Sequence, residues 1–312
     1  MECPLMMIPT LLQYMNDPAI TDICIHEKSS ISIERQGDHR MVKIPINSPN
    51  AEQELKQWIL ENLSAIGKSW DAKHPFADAI LSSGHRLHVV FPPITPMITI
   101  SLRRIAKQQR FWAQQEHFEF LASKVRAGET MIISGATGSG KTTLMNELIS
   151  QIASHERILI LEDTAELLPE HEQCIKLTAR PPNADGFGEV SLQAIVKQTL
   201  RMRPDRIILG ECRGSEVLDL LQILNTGHRG ALATLHAHSP RDALRRIELL
   251  CLLSTHTLSL HAIRELLGLG INWLVHVDRT NHGQRHIASI SQMAGREGDT
   301  LLLRNVLEQQ KV

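Results

Sequence analysis

One short run of residues has the types and spacing to hold a polyanion: Gly135-Ala136-Thr137-Gly138-Ser139-Gly140-Lys141-Thr142, which fits G-x-x-x-x-G-K-[ST]. Small residues let backbone N–H groups turn inward on phosphate oxygens, and a helix beginning at the end of the loop adds fixed positive partial charge. Lys141 would reach the β- and γ-phosphates, and Thr142 would ligate Mg²⁺. The alternative is a glycine-rich turn with an incidental lysine. The context argues against it, because an apolar stretch, Met131–Ser134, leads in and Leu144, Leu148 and Ile152 share one helical face leading out. Gly135, Thr137, Gly138, Ser139, Gly140, Lys141, Thr142 and Thr143 are the candidate nucleotide contacts, with ATP and Mg²⁺ as the implied ligands.

In a parallel α/β sheet, ligands sit at the carboxyl ends of the strands. After the apolar run Ile158–Leu161 come Glu162-Asp163-Thr164-Ala165-Glu166, where a carboxylate could polarise an attacking water or hold Mg²⁺ through water. The competing reading is a solvated acidic turn. After Ile207–Leu209 comes Gly210-Glu211. Glu211 is the carboxylate placed there for the metal, or else an acid ahead of a helix capped by Ser215. After Ala231–Leu235 comes His236, which beside a γ-phosphate could sense its loss, or could be a satisfied structural histidine. His236 and His238 give only a weak metal-pair signal.

These side chains need a sheet to converge on. Strand-like runs at 130–134, 157–161, 206–209 and 231–235 alternate with helical stretches, the rhythm of a parallel sheet flanked by helices. Ser215 and Ser239 can cap helices, with Gly227 closing the first and Pro240 opening the second. The first half reads differently. Residues 20–46 alternate polar and apolar as an antiparallel meander, 50–66 carry helical spacing, and strand-like pieces follow at 78–81, 86–91 and 97–102. The expected organisation is therefore α+β at 1–105, a linker at 106–117 and α/β at 118–312.

Bulk properties narrow the function classes. The 312 residues carry a net charge of −1 and are 4% aromatic, without the basic, ring-rich surface of a strand-binding protein, so no direct nucleic-acid contact is expected. Five dispersed cysteines without a C-x-x-C pair point to reduced thiols rather than disulfides or zinc. No run reaches the ~20 apolar residues of a membrane span, and the N-terminus does not read as a signal peptide. A cytoplasmic protein is expected, peripheral to the membrane if it serves a membrane machine.

Longer stretches carry a resemblance. Leu200-Arg-Met-Arg-Pro-Asp-Arg-Ile-Ile-Leu-Gly-Glu-Cys-Arg-Gly, Asn225-Thr-Gly-His and Ala233-Thr-Leu-His-Ala-His-Ser-Pro-Arg-Asp-Ala-Leu resemble the type II/type IV secretion ATPase superfamily. Arg180-Pro-Pro-Asn-Ala-Asp-Gly-Phe-Gly-Glu-Val, Asp17-Pro-Ala-Ile-Thr-Asp-Ile and Ser101-Leu-Arg-Arg look closest to its Tad/Flp pilus assembly branch (CpaF/TadA type). The resemblance implies a RecA-like P-loop C-terminal domain with a smaller α+β N-terminal domain, ATP held between them, and a homo-hexamer working on an inner-membrane platform protein. It implies Glu162 as catalytic base, Glu211 as the Walker B glutamate, and His236 in a histidine box that His228 precedes. It also matches Arg86, Arg103 and Arg104 to N-domain arginines that meet the phosphates. Such a guanidinium stabilises charge developing on the transferred phosphoryl group and is worth about 10³–10⁵ in rate. A type IV secretion or conjugation traffic ATPase, a nucleic-acid translocase, a small-molecule kinase and a non-hydrolysing adaptor are the alternatives.

Overall fold

The computed structural model describes residues 6–36, 38–66, 75–105, 115–182, 186–254, 258–280 and 284–308. The chain forms two compact units that divide near residue 107. Most of the expected linker, 106–114, lies outside the described residues, while 115–117 belong to the first turn of a helix.

The first unit contains α1 (Met7–Asn16), β1 (Ile20–Glu27), β2 (Ser30–Arg35), β3 (Asp38–Pro45), α2 (Ala51–Ala65), β4 (Phe76–Ile80), β5 (His85–Val90) and β6 (Thr99–Arg104). Its strands lie in the order β3-β2-β1-β6-β5-β4, every pair antiparallel. Period-two alternation divides the faces. Ile23, Ile25, Leu87, Val89, Ile100 and Leu102 are buried with Leu11 of α1 and Leu55 and Ile59 of α2. On the opposite face Asp22, Arg103 and Arg86 stand in register across β1, β6 and β5.

The second unit contains α3 (Gln115–Arg126), β7 (Met131–Ser134), α4 (Lys141–Ile149), β8 (Ile158–Glu162), β9 (Cys174–Thr178), α5 (Leu192–Thr199), β10 (Arg206–Leu209), α6 (Glu216–Asn225), β11 (Leu232–Leu235), α7 (Pro240–Ser254), α8 (Leu260–Gly270), β12 (Trp273–Arg279), β13 (Arg285–Glu297) and β14 (Thr300–Glu308). They form an eight-stranded sheet ordered β14-β13-β12-β7-β11-β10-β8-β9. Strands β12, β7, β11, β10, β8 and β9 run parallel, and β13 and β14 add antiparallel. The inner strands read as near-continuous apolar runs because both faces are covered. One face packs against α3 and α4 through Leu121, Val125, Leu144 and Leu148, and the other against α5 to α8 through Val196, Leu220, Ile247 and Ile263. Parallel pairing brings the carboxyl ends of β7, β8, β10, β11 and β12 to one rim.

The opposite rim is held by charge. Nearly buried Arg206, at the start of β10, donates to Glu156 through Nη2 at 3.1 Å and also through Nε. Gly230 lies against this guanidinium at φ +71°, and a Cβ there would fall 1.8 Å from Arg206 Nη1. Gly230→Ala therefore has to displace the buried ion pair as well as adopt a left-handed backbone. Its expected cost is about 2–4 kcal/mol, measurable as a lower urea midpoint at unchanged m. A loss below about 0.5 kcal/mol, the level of an ordinary surface change, would show that the pair tolerates displacement.

Candidate nucleotide site

Strand β7 delivers Gly135 to the rim, and α4 begins at Lys141. A Cβ on Gly135 would meet the Val277 carbonyl at 2.4 Å and Ser139 Oγ at 2.5 Å, so only hydrogen fits there. Gly138 and Gly140 adopt φ of +74° and +104°, the left-handed region that lets the loop turn its amides toward a ligand. Lys141 Nζ folds back onto the carbonyls of Gly135 at 3.0 Å and Ala136 at 2.8 Å. Burial lowers its pKa to about 8, against the pull of Glu211 and Glu166. Ser139 Oγ is buried without a hydrogen-bond partner among the described residues. A buried cation, an orphaned hydroxyl and a side-chain-free cradle together fit a bound phosphate chain.

Beside the loop, Lys141 Nζ lies 3.4 Å from His236 Nδ1, and His236 Nε2 lies 2.9 Å from Glu211 Oε1. An ammonium can only donate, so Nδ1 is the acceptor and Nε2 carries the proton toward Glu211. Burial and the neighbouring Lys141 charge hold the His236 pKa below its usual value, consistent with this neutral tautomer. Glu211 Oε2 accepts from Arg213 Nη2 at 2.6 Å. The result is one chain, Lys141–His236–Glu211–Arg213, along the ends of β11 and β10. The N-terminal segment of α6 is held by Glu216, which is buried and accepts from the amides of Arg213 and Gly214, both at 2.7 Å. Ser215 makes no side-chain cap, contrary to expectation: its backbone is helical rather than extended, and the Val217 and Leu218 amides it would cap bond to the carbonyls of Gly214 and Ser215.

Glu162 ends β8 and is nearly buried. Its Oε1 accepts from the amides of Glu166 and Leu167, both at 2.9 Å, while Oε2 is buried without a partner among the described residues. Burial raises its pKa to about 7, and the two amide bonds only partly oppose that rise. Gly210 makes room for it, since a Cβ there would approach Glu162 Cγ to 2.8 Å. A carboxyl with its pKa raised to about 7, oriented through one oxygen and unpartnered among the described residues at the other, has the character of a general base.

The remaining expected residues fall in different places. Thr142 and Thr143 lie half-buried on the first turn of α4, and Thr137 is exposed on the crest of the loop. Thr143 Oγ1 accepts from Arg285 Nη1 at 3.2 Å. His228 is not brought to this cluster. It precedes β11 whereas His236 follows it, so the strand holds the two at opposite rims, roughly 13 Å or more apart at ~3.3 Å per residue. Within the first unit, Arg103 Nε donates to Asp22 at 2.7 Å, and Arg86 faces Arg103 across the β5–β6 pair. Arg104, expected at the phosphates, instead donates to the main-chain carbonyls of Met15, Asp17 and Ile20, tying α1 and β1 to the end of β6. Arg213, Glu216, Arg279 and Arg285 were not anticipated. The apolar run Trp273–Val277 ending in Asp278 and Arg279 was a further strand end open to the same reasoning.

A family model described as "Type II/IV secretion system protein" matches residues 9–267. The chain belongs to that family. This secretion ATPase is 34% identical over 293 residues to a Mycobacterium tuberculosis protein provisionally named for conjugal transfer, covering 89% of this chain and 82% of the relative. It is 32% identical over 283 residues to the conjugal transfer protein TrbB of Rhizobium radiobacter, covering 87% and 83%. The solved VirB11 ATPase of the Brucella suis type IV secretion system, in complex with sulphate, is 27% identical with a TM-score of 0.51, covering 91% of this chain and 93% of that one. The two-unit architecture is accordingly that of a secretion ATPase, and the chain is an ATP-hydrolysing enzyme. No helix among its described residues is long and apolar enough to cross a membrane.

Proposed function

We propose that this chain is the traffic ATPase of a type IV secretion or conjugation machine. The phosphate chain of ATP lies in the Gly135–Thr143 loop, with Lys141 on the β- and γ-phosphates. Glu162 takes the proton of the attacking water. Glu211 and His236 read the γ-phosphate, His236 exchanging its contact with Lys141 for one with the nucleotide. The observation that carries this reading is the Lys141–His236–Glu211 chain beside the loop, which links the lysine to His236 and, through it, to Glu211 at a second strand end.

Mg²⁺ fits the hard oxygen donors present. No group of three or more His, Cys, Asp or Glu among the described residues could hold a metal alone. The ion would therefore take phosphate oxygens, the Thr142 hydroxyl and, through water, Glu211, both of whose oxygens already have partners. Bound there it would neutralise charge on the β- and γ-oxygens.

The chain works as a homo-hexamer at the cytoplasmic face of the inner membrane, against a membrane component of the machine. Relatives named for conjugal transfer and type IV secretion favour traffic service over the Tad/Flp pilus assembly that the motif resemblance implies. Steady-state phosphate release from Mg·ATP tests the enzyme, and absence of release from the purified, folded chain would refute it. Deletion in the native host, with macromolecule transfer and pili scored separately, tests the service. Loss of transfer with pili intact is expected, whereas loss of pili with transfer intact would assign it to pilus assembly.

A further inference from the structure

The loop has two flanks of opposite chemistry. On one side, β11, β10 and β8 present His236, Glu211 and Glu162. On the other, β12 and β13 present arginines. Arg279, the last residue of β12, pairs directly with Arg285, the first of β13, so both side chains leave the same face of the sheet. Both are half-buried. Arg285 donates to Thr143 Oγ1 on the first turn of α4, and Arg279 lies over the loop, its Nη2 3.3 Å from where a Cβ of Gly138 would sit. Burial and the neighbouring Arg279 charge lower the basicity of Arg285. Like charges directly opposite across a strand pair are destabilising, and burial compounds the cost. An anion between them and the first turn of α4 reverses the sign of that interaction. The arginines also lie across β7 from the hydrolytic groups. A phosphate chain whose γ end meets His236 and Glu211 therefore has its ribose end toward β12.

We propose that Arg285, with Arg279 beside it, binds the α-phosphate of the nucleotide, and so selects a nucleoside 5′-di- or triphosphate held in one direction along the loop. This rests on nucleotide binding at Gly135–Thr143. Arg285 would exchange or share its bond to Thr143 for a charge-assisted bond to an α-phosphate oxygen, while Lys141 serves the other end.

The test is Mg·ADP binding to the full chain by calorimetry, with ³¹P NMR of the bound nucleotide, for wild type, Arg285→Gln and Arg279→Gln. Arg285→Gln is expected to weaken Mg·ADP about tenfold, the worth of one charge-assisted hydrogen bond. It should also move the α-phosphorus resonance of bound ADP while the β resonance keeps its position. Arg279→Gln should produce the same pattern more weakly and serves if the first variant does not fold. An unmoved α resonance in the folded variants, or a shift confined to the β resonance, overturns the proposal whatever the affinity. Wild-type protein that binds no Mg·ADP would defeat the nucleotide site itself, a different result from wild-type binding that survives both substitutions unchanged.

Discussion

Lys141→Ala is expected to lower ATP turnover by about 10³-fold, the upper range for removing one preorganised donor from developing negative charge. The loss should fall on binding as well as on the chemical step, because Lys141 is a buried cation held within the loop's own curve, its Nζ 3.0 Å from the Gly135 carbonyl. Its pKa of about 8 in the free protein adds a pH signature. A phosphate partner raises the pKa of the ammonium, so binding takes up a proton. Affinity is then full below pH 8 and weakens above it by up to about tenfold per pH unit, until the bound-state pKa is passed. Nucleotide Kd measured from pH 6.5 to 9.5 reads this directly. An alanine variant that keeps its folded thermal midpoint and hydrolyses ATP at the wild-type rate would remove Lys141 from the site.

The parts of this site visible in the sequence are those that chain geometry makes local. The loop declares itself because a strand, three glycines, a lysine and a helix are contiguous. Glu162, Glu211 and His236 are legible because each stands at or just past the end of a buried apolar run, and parallel strands deliver their ends to one rim. His228, which enters only through the resemblance, has no such strand end to place it: it precedes β11 whereas His236 follows it. Arg104 shows a different limit. Nothing in its spacing distinguishes a guanidinium aimed at phosphate from one spent on the carbonyls of Met15, Asp17 and Ile20, far away in sequence.

Some elements carry weak sequence signals for related reasons. Helix α1 contains Pro9 in its first turn, which reads as a break although amides there need no intrahelical partner. The strand β9 is half-exposed at a sheet edge, without the apolar run of its neighbours. Strands β13 and β14 draw their register from long antiparallel pairing with two irregularities, which interrupts the alternation a sequence scan depends on. Missing β12 and β13 hid Arg279 and Arg285, since a residue can be placed at a rim only once its strand is known.

Glu162→Gln should leave nucleotide binding within about twofold of wild type and reduce turnover by about 10²–10⁴-fold, the range that general-base catalysis supplies. Glutamine has the same shape. Its amide oxygen can accept from the Glu166 and Leu167 amides as Oε1 does now, with its NH₂ in the place of unpartnered Oε2, so the fold keeps its two hydrogen bonds while the base is lost. The pH dependence separates this from a steric effect. With a carboxyl titrating at about 7, the active form is the carboxylate, and kcat/KM should rise with pH through 7. It should fall again above 8 as the Lys141 ammonium of the free enzyme discharges, giving a narrow bell. In the glutamine variant the residual rate should lose the rising limb and keep the falling one. A variant that retains the full bell, or that hydrolyses ATP within tenfold of wild type, would move the base elsewhere. Asp163 is then the next group to examine, since its carboxyl is also raised by burial and by the charges of Glu216 and Glu211.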